Sequence, residues 1–459
     1  MSETVPAPVV ESAPPARHVL TAVTASCFGW ALDLFDLFML LYVAPIVGKL
    51  FFPSHHPLLS LAAVYASFAV TLLMRPLGSA LFGSYADRNG RKGAMVIAVI
   101  GVGIVTAAFG LLPTVAQAGF VSPILFLLLR LVQGVFVGGV VASTHTIGTE
   151  SVPAYYRGAV SGLIGGGGAG IGALLASVTY FAMSTLFPGD SFNEWGWRCM
   201  FFTGIISSLL GLVIFTRLEE SPLWRQLAAQ KAARAADAKH AAAEAPVAAP
   251  LRTLFSPPYR RVLLINLLVT IGGGSSYYLT SGYLPTVLKV VAQLPNSTAG
   301  VILMLGSAAV IVASTAAGHL STLIGRKRTF LLVGAVQIVA APWLYLQFET
   351  ANTVMAIGTY TVLLSALGCM GLAPILIFLN ERFPTAIRAS GTGLSWNIGF
   401  ALGGMMPTFV SLVAGSPAEL PATLAVFIGT VSAVLLIGAT IIPETLQRMP
   451  AAAETPASA

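Results

Sequence analysis

Long apolar stretches alternate with short polar segments along most of the chain, and this pattern predicts helices that cross a membrane. A helix needs about 20 apolar residues to span the hydrocarbon core of a bilayer. Six stretches of that length precede the polar segment 217–258, and six follow it. They lie at 19–48, 59–83, 92–113, 120–148, 158–187 and 197–216, then at 260–290, 298–322, 329–347, 352–379, 389–414 and 421–442. We therefore expect an all-α integral membrane protein with twelve transmembrane helices.

Two polar motifs occur once in each half of the chain and indicate a duplication. Residues 83–92 (GSYADRNGRK) connect the second and third stretches, and 318–327 (GHLSTLIGRK) connect the eighth and ninth. A Glu-x2-Pro-x3-Arg pattern follows the fourth stretch at 150–157 and the tenth at 381–388. Two six-helix pseudo-repeats in parallel describe a known transporter architecture. The predicted segments are a tail 1–18, an N-terminal bundle 19–216, a linker 217–258, a C-terminal bundle 259–442 and a tail 443–459.

The distribution of charge predicts how the chain lies in the membrane. Only 9% of the residues are charged, whereas soluble domains carry about 25%. The net charge of +7 does not indicate a nucleic-acid partner, because the basic residues stand at the ends of apolar stretches. Most Lys and Arg residues fall on the side that holds both termini. The positive-inside rule then predicts cytoplasmic termini for a multi-pass protein of the inner or plasma membrane, with the lipid bilayer around it.

Several motifs resemble the major facilitator superfamily along nearly the whole chain. The loop 83–92 is similar to that superfamily's signature between helices 2 and 3, and 130–134 (RLVQG) resembles its fourth-helix motif. The acid pair in 33–36 (DLFD) is similar to sialate/monocarboxylate and aromatic-acid proton symporters. A closer likeness, to the metabolite:proton symporters, rests on 33–36, 75–78 (RPLG), 112–117 (LPTVAQ), 195–198 (WGWR), 219–222 (EESP), 284–285 (LP) and 381–391 (ERFPTAIRASG).

The resemblance implies the major facilitator fold and transport by alternating access between two halves. The metabolite:proton symporters carry organic acids and zwitterionic osmolytes, so uptake of one of these with protons is implied. Val140 follows Gly138-Gly139 where the family usually has a glutamate, so no proton role is carried over to that position. The fifth stretch lacks the Gly-Pro step of drug:proton antiporters, which favours uptake over efflux.

Asp33 and Asp36 lie deep in the first apolar stretch and are candidates for proton coupling. Their spacing of three residues puts them on one face of a helix. An ionised carboxylate in a span is costly unless it is paired, hydrated or protonated. Two neighbouring acids also repel each other, which favours proton uptake by one of them. The alternative is structural, because one acid could simply pair with Arg75 or Arg130.

Polar residues in other spans are candidates for substrate binding. Arg130 can hold a carboxylate through two parallel hydrogen bonds, and Arg75 could do so or extend its charge toward the membrane surface. The alternative for both is a fixed structural ion pair. Polar residues of the seventh and eleventh stretches either line a cavity or bond across helices. The predicted substrate-binding residues are Arg75, Arg130, Gln133, Tyr277, Tyr278, Trp396 and Asn397.

Glycines 272–274, just before the two tyrosines, would let the seventh helix bend.

Charged residues at the cytoplasmic ends of the spans are candidates for a gate. Such residues can form ion pairs that bridge the two halves and close the inner side, as the resemblance also implies. The alternative is that they only anchor the topology. The predicted gate residues are Asp87, Arg88, Arg91, Glu150, Arg157, Glu381 and Arg388.

Together these features predict a secondary active transporter that takes up a small organic acid, a carboxylate, with protons. The alternatives are a proton symporter for a zwitterionic osmolyte or amino acid and, less consistent with the short tails, a ligand sensor without transport. An enzyme is disfavoured, because no metal cluster or nucleophile constellation stands in the apolar stretches. We expect no cofactor, no bound metal and no nucleic acid, and this architecture usually works as a monomer.

Overall fold

The computed structural model describes residues 16–89, 91–150, 152–217, 254–383 and 387–446. Every regular element within these ranges is a helix, so the predicted all-α fold is confirmed. Most of the predicted linker 217–258 lies outside the described residues, as do most of the predicted tails 1–18 and 443–459. The boundaries of those three segments stay predictions.

Each predicted apolar stretch forms one helix of membrane length, in places divided by an irregular turn. Among the described residues, 11 helices are long and apolar enough to cross a bilayer, and the third is shorter over its apolar part, Val96–Leu111. The twelve helices are α1 (Ala16–Phe51), α2 (Pro57–Asn89), α3 (Arg91–Leu111), α4 (Val121–Glu150), α5 (Arg157–Leu186), α6 (Phe192–Val213), α7 (Pro257–Val291), α8 (Asn296–Leu323), α9 (Arg326–Leu346), α10 (Val354–Arg382), α11 (Arg388–Val413) and α12 (Leu420–Ile441).

The N-terminal half, α1–α6, meets the C-terminal half, α7–α12, through helix pairs that include α1 with α7, α2 with α11 and α5 with α8. All six helices contribute side chains to one apolar core that runs through both halves. Membrane helices associate through close van der Waals packing and hydrogen bonds. Polar groups buried between the halves therefore deserve a functional explanation.

Four glycines, spaced four residues apart, bring α5 directly against the backbone of α8. A Cβ added at Gly162 would lie 2.3 Å from the Ser314 carbonyl oxygen, and one at Gly170 would lie 2.7 Å from Cγ1 of Ile311. Only glycine fits at such distances. The row covers about 18 Å of helix, at 1.5 Å per residue. We call it the glycine seam, and its members are Gly158, Gly162, Gly166 and Gly170.

The seventh helix departs from α-helical geometry further along the chain than its glycines suggest. Wide, π-type turns cover Tyr278–Gly282 and Val287–Val291, whereas residues 272–274 remain α-helical. These glycines allow close packing instead, because a Cβ on Gly272 would lie 2.7 Å from Cα of Leu435 in α12. Wide turns occur often at functional sites, and discontinuous helices line the binding sites of many transporters.

Candidate functional site

The two acids of α1 have different partners. Asp33 forms a buried salt bridge with Arg75 of α2, whose Nη2 lies 3.3 Å from Oδ2 of the acid. Among the described residues, Asp36 accepts one long hydrogen bond, 3.4 Å, from the Ser207 hydroxyl of α6. Neither acid is more than 6% exposed. Within the part of the chain that the structure describes, Asp36 therefore lacks the ion-pair partner that Asp33 has, and an unpaired carboxylate is costly inside a membrane protein.

Both acids also line one small cavity, which we call the acid cavity. Its described lining comes from α1, α3 and α6, so the cavity lies within the N-terminal half. It has room for roughly one or two water molecules. The cavity thus gives both acids room for water at a place separate from the surface between the halves. Its lining consists of Gly29, Leu32, Asp33, Asp36, Val99, Val102, Ser207 and Ser208.

Arg130 is fully buried on α4 and contacts residues of its own half. Its Nη1 donates a 2.6 Å hydrogen bond to Gln133, whose amide donates one of 2.9 Å to Thr106 of α3. The guanidinium carbon lies 4.2 Å and 5.1 Å from the ring centres of Phe109 and Phe126. Its Nε and Nη2 have no hydrogen-bond partner among the described residues. The arginine therefore keeps two donors for a group that comes within reach.

A second cavity lies between the two halves, and we call it the central cavity. Its lining comes from α1 and α5 on one side and from α7, α8 and α10 on the other. In this arrangement it has room for roughly one water molecule. It is lined by Tyr42, Ala169, Gly170, Ala173, Tyr277, Ser281, Leu303, Ser307, Val310 and Ser365.

The other predicted aromatic residues form a cluster across the interface between the halves. Trp396 of α11 stacks on Phe400 at 3.8 Å and meets the edge of Trp30 of α1 at 5.5 Å. Tyr278 of α7 contacts Phe68 of α2 at 5.3 Å. Asn397 is half-buried beside Trp396. The structure thus brings Tyr278 and Trp396 to the interface, although neither lines the central cavity.

At the end of the bundle predicted to be cytoplasmic, Glu381 of α10 pairs with Arg326, the first residue of α9. Nη2 of Arg326 lies 3.1 Å from Oε1 of Glu381, and its Nη1 donates a 2.7 Å hydrogen bond to Ser321. A Cβ added at Gly158 of the glycine seam would lie 3.0 Å from the same Nη1. The ion pair belongs to the C-terminal half but rests against α5 of the other half.

Glu444 closes this cluster by capping α9. Its carboxylate accepts hydrogen bonds of 2.8 Å and 3.1 Å from the backbone amides of Arg326 and Lys327, where the helix dipole favours an anion. Neither Arg326 nor Glu444 was predicted as a gate residue. The signal was available, because Arg326 stands in the second copy of the repeated loop motif.

Of the other predicted gate residues, Arg157 is exposed and donates from Nε to the carbonyl oxygen of Val152 at 3.3 Å. The remaining predicted gate side chains lie outside what the structure describes, so their ion pairs stay a prediction. They are Asp87, Arg88, Arg91, Glu150 and Arg388.

Three side chains join the halves at the opposite end of the bundle. Tyr65 of α2 stacks on Tyr283 of α7 with 5.0 Å between ring centres, and its hydroxyl lies 2.8 Å from that of Thr286. We call Tyr65, Tyr283 and Thr286 the tyrosine latch. The central cavity is therefore closed on one side by the glycine seam and on the other by the latch.

The structure separates the predicted substrate residues into three groups, one of which is the interface set of Tyr278, Trp396 and Asn397. Tyr277 lines the central cavity, whereas the described contacts of Arg75, Arg130 and Gln133 are with other residues of the N-terminal half. Four hydroxyl residues of the central cavity were not predicted, because single Ser and Tyr residues in spans usually serve interhelical bonding. They are Tyr42, Ser281, Ser307 and Ser365.

A helical membrane protein whose two halves enclose a polar cavity, closed at both ends, has the architecture of a transporter. The family model described as "Major Facilitator Superfamily" matches residues 19–407. The chain belongs to this superfamily, and it is a membrane transporter rather than an enzyme.

Relatives with similar sequences are bacterial transport proteins. The inner membrane metabolite transport protein YhjE of Escherichia coli (strain K12) is 29% identical over 396 residues, covering 85% of this chain and 86% of the relative. A proline/betaine transporter of the same strain is 28% identical over 441 residues, covering 95% and 86%. The glycine betaine/proline/ectoine/pipecolic acid transporter OusA of Dickeya dadantii (strain 3937) is 29% identical over 407 residues, covering 87% and 78%.

Solved structures support the same fold. The xylose transporter XylE from E. coli, in a partially occluded inward-open conformation, has a TM-score of 0.69 at 18% identity and covers 95% of this chain and 100% of its own. The proton:xylose symporter XylE bound to 6-bromo-6-deoxy-D-glucose has a TM-score of 0.70 at 18% identity, covering 94% and 97%. At this level of identity the likeness concerns the fold alone.

Proposed function

We propose that the protein takes up a small carboxylate-bearing solute together with protons, by alternating access. The observation that carries this proposal is the Asp33–Arg75 salt bridge, a buried titratable pair that joins two helices of the interface between the halves. Protonation of Asp33 would remove the counter-charge of Arg75 and change the balance between the open states. A ligand shifts such an equilibrium only by binding its states with different affinity, and a proton on this pair meets that condition.

The first substrate candidate is an organic acid anion. Arg130 supports it, because its Nε and Nη2 have no partner among the described residues and a guanidinium can take a carboxylate with two bonds. Arg75 becomes available in the same way when Asp33 is protonated. Gln133 would hold Arg130 in place.

The second candidate is a zwitterion such as a betaine or an imino acid. Two relatives are named as proline/betaine and glycine betaine/proline/ectoine/pipecolic acid transporters. The described lining of the central cavity consists of neutral side chains, which suits a solute without net charge better than an anion.

The wider setting follows the same proposal. The protein works as a monomer in the inner membrane, with both termini in the cytoplasm, and its inner gate includes the predicted charged set. Tyr278, Trp396 and Asn397 contribute to the path between the halves rather than to the central cavity.

Uptake into proteoliposomes with an imposed inward proton gradient tests this function. The panel would contain labelled lactate, pyruvate, succinate, citrate, shikimate, benzoate, proline and glycine betaine. We expect accumulation of at least one solute that collapses when a protonophore is added. A double variant, Asp33→Asn with Asp36→Asn, should lose this accumulation while it retains downhill exchange, and full uptake by it would refute the assigned proton role.

A further inference from the structure

Two hydroxyl groups in the central cavity have no hydrogen-bond partner among the described residues. They are Tyr277 Oη and Ser281 Oγ, four residues apart on α7, and both atoms are buried. Tyr277 as a whole is only 2% exposed. Buried polar groups are almost always paired, so each exception requires a reason. A reason available here is a ligand that accepts both bonds.

The hydroxyls of Tyr42 and Ser307, which also line the cavity, already have partners. Tyr42 Oη donates to the carbonyl oxygen of Ala173 at 3.1 Å and lies 2.9 Å from Ser177 Oγ. Ser307 Oγ donates to the carbonyl oxygen of Leu303 at 2.8 Å. The two unpaired groups on α7 are therefore distinct from the usual interhelical or backbone-bonded hydroxyls of a membrane span.

The charge of the cavity restricts what these donors can bind. None of its described lining residues carries a formal charge, and the buried acid Asp33 already has Arg75 as its partner. A solute with a net negative charge would lose its hydration there without gaining an opposite charge, which is unfavourable. A solute that brings its own positive group has no net charge to compensate, which lowers this cost.

Aromatic rings that can bind a positive group line the central cavity. The rings of Tyr42 and Tyr277 both contact Phe38, with ring centres 5.9 Å and 6.0 Å apart. Tyrosine faces attract ammonium groups, and quaternary ammonium ligands are commonly recognised by such rings. The cavity is narrow in this closed arrangement and has to widen before it can take a solute. A compact solute needs the least separation of the halves.

We propose that the central cavity binds a small zwitterion whose carboxylate accepts hydrogen bonds from Tyr277 and Ser281. Its ammonium group then lies against the rings of Tyr42 and Tyr277. This inference rests on the proposed transport function and names the substrate class and its recognising residues. It makes the arginines of the N-terminal half responsible for coupling rather than for substrate contact.

The test compares uptake by the purified full chain and two variants in proteoliposomes, with glycine betaine and proline as probes. Tyr277→Phe removes one hydroxyl and keeps the ring, and Ser281→Ala removes the other. We expect each to raise KM for both zwitterions about tenfold or more, since a bond to a charged group is lost. The maximal rate should change little.

Tyr345→Phe is the matched control. It removes a buried hydroxyl of the same half, one that donates to the carbonyl oxygen of Leu279 at 2.6 Å and does not line the cavity. We expect Tyr345→Phe to lower the melting temperature and keep KM, and Tyr277→Phe to raise KM and keep the melting temperature. The reverse pattern would make Tyr277 a structural residue and overturn the inference.

Calorimetric binding of glycine betaine and lactate in detergent separates this inference from the proposed function. Zwitterion binding that depends on Tyr277, without gradient-driven uptake, would support the site and refute the proton coupling. Gradient-driven uptake of lactate or succinate with no zwitterion binding would keep the function and overturn the inference. Unchanged betaine affinity in both variants would also overturn it.

Discussion

The glycine seam and the tyrosine latch close opposite ends of the same cavity, but they are made of different parts. In the seam, backbone meets backbone, and a Cβ at Gly162 would come within 2.3 Å of a carbonyl oxygen. In the latch, two aromatic rings stack at 5.0 Å and one hydroxyl pair bridges the halves at 2.8 Å. The seam relies on shape, whereas the latch relies on one directional bond and a ring contact.

The two closures are vulnerable to different changes. A contact between two backbones is stabilised by many weak dispersion interactions. One added methyl group is enough to push the two backbones apart. A hydrogen-bonded latch tolerates changes of volume but weakens when one donor or acceptor is removed. The ion pair of Arg326 and Glu381 stands beside the seam and adds a charged component to that end.

The largest effect is expected from Arg326→Ala, which removes the charged partner of Glu381 beside the seam. Arg326 is 2% exposed and Glu381 is 27% exposed at the side chain, so the pair is only partly buried. The variant also removes the hydrogen bonds from Arg326 to Ser321 and Thr322, and losing several bonds from one charged group costs about 3 kcal/mol. We expect a clear fall in melting temperature and more frequent opening of the seam end, measured by alkylation of cysteines introduced there. The control is Arg328→Ala, two residues away and exposed, and equal melting temperatures for both variants would contradict the assignment.

A smaller effect is expected from Gly162→Ala, which adds one methyl group within the seam. Overpacking of this kind typically costs about 1–3 kcal/mol, and here it opposes only the seam-closed state. We expect roughly tenfold slower gradient-driven uptake, with cysteines at the seam end more reactive.

Gly167→Ala on the same helix is its matched control, because the nearest atom to an added methyl group there belongs to Leu163 of the same helix, at 3.1 Å. Any general effect of alanine on helix stability would appear in both variants. Equal slowing of uptake in both would remove the seam from the explanation.

The smallest effect is expected from Tyr65→Phe, which removes the hydroxyl of the latch and keeps the stacked ring. A single hydrogen bond contributes about 1 kcal/mol, so the open population on the latch side should rise roughly fivefold. Cysteine accessibility at that side measures this shift.

Tyr283→Phe provides the comparison, since its hydroxyl lies 2.8 Å from that of Ser411 within the C-terminal half. We expect that variant to lose some thermal stability without a change in accessibility. If Tyr65→Phe behaves like Tyr283→Phe, the Tyr65 hydrogen bond does not control opening.

The number and order of the helices could be predicted, because the thickness of a bilayer dictates the length of each apolar stretch. The position of the irregular turns in α7 could not. Residues 272–274 suggested a bend, but tight packing against α12 keeps them helical, and the wide turn begins at Tyr278. Glycine permits a bend and close packing equally, and only the neighbouring helix decides between them.

The candidate site was predictable only in part, for a similar reason. The spacing of Asp33 and Asp36 indicated one helix face, yet the structure gives one acid an arginine and the other a serine from different helices. Likewise, the sequence marks Arg130 as buried but does not say which half it contacts. Ser281 was missed because a lone serine in a span carries no distinctive pattern.

The first wide turn separates a long rod of α7, Pro257–Tyr277, from a short one, Leu284–Thr286, and the second wide turn ends the helix. The outermost turn, Val287–Val291, begins directly after Thr286, and the other, Tyr278–Gly282, ends directly before Tyr283. The latch residues of α7 therefore lie on a short segment with a wide turn on either side. Such a segment can tilt while the other helices of the bundle keep their positions. We therefore expect solute to exchange between the central cavity and the latch side faster than the two halves can rock against each other.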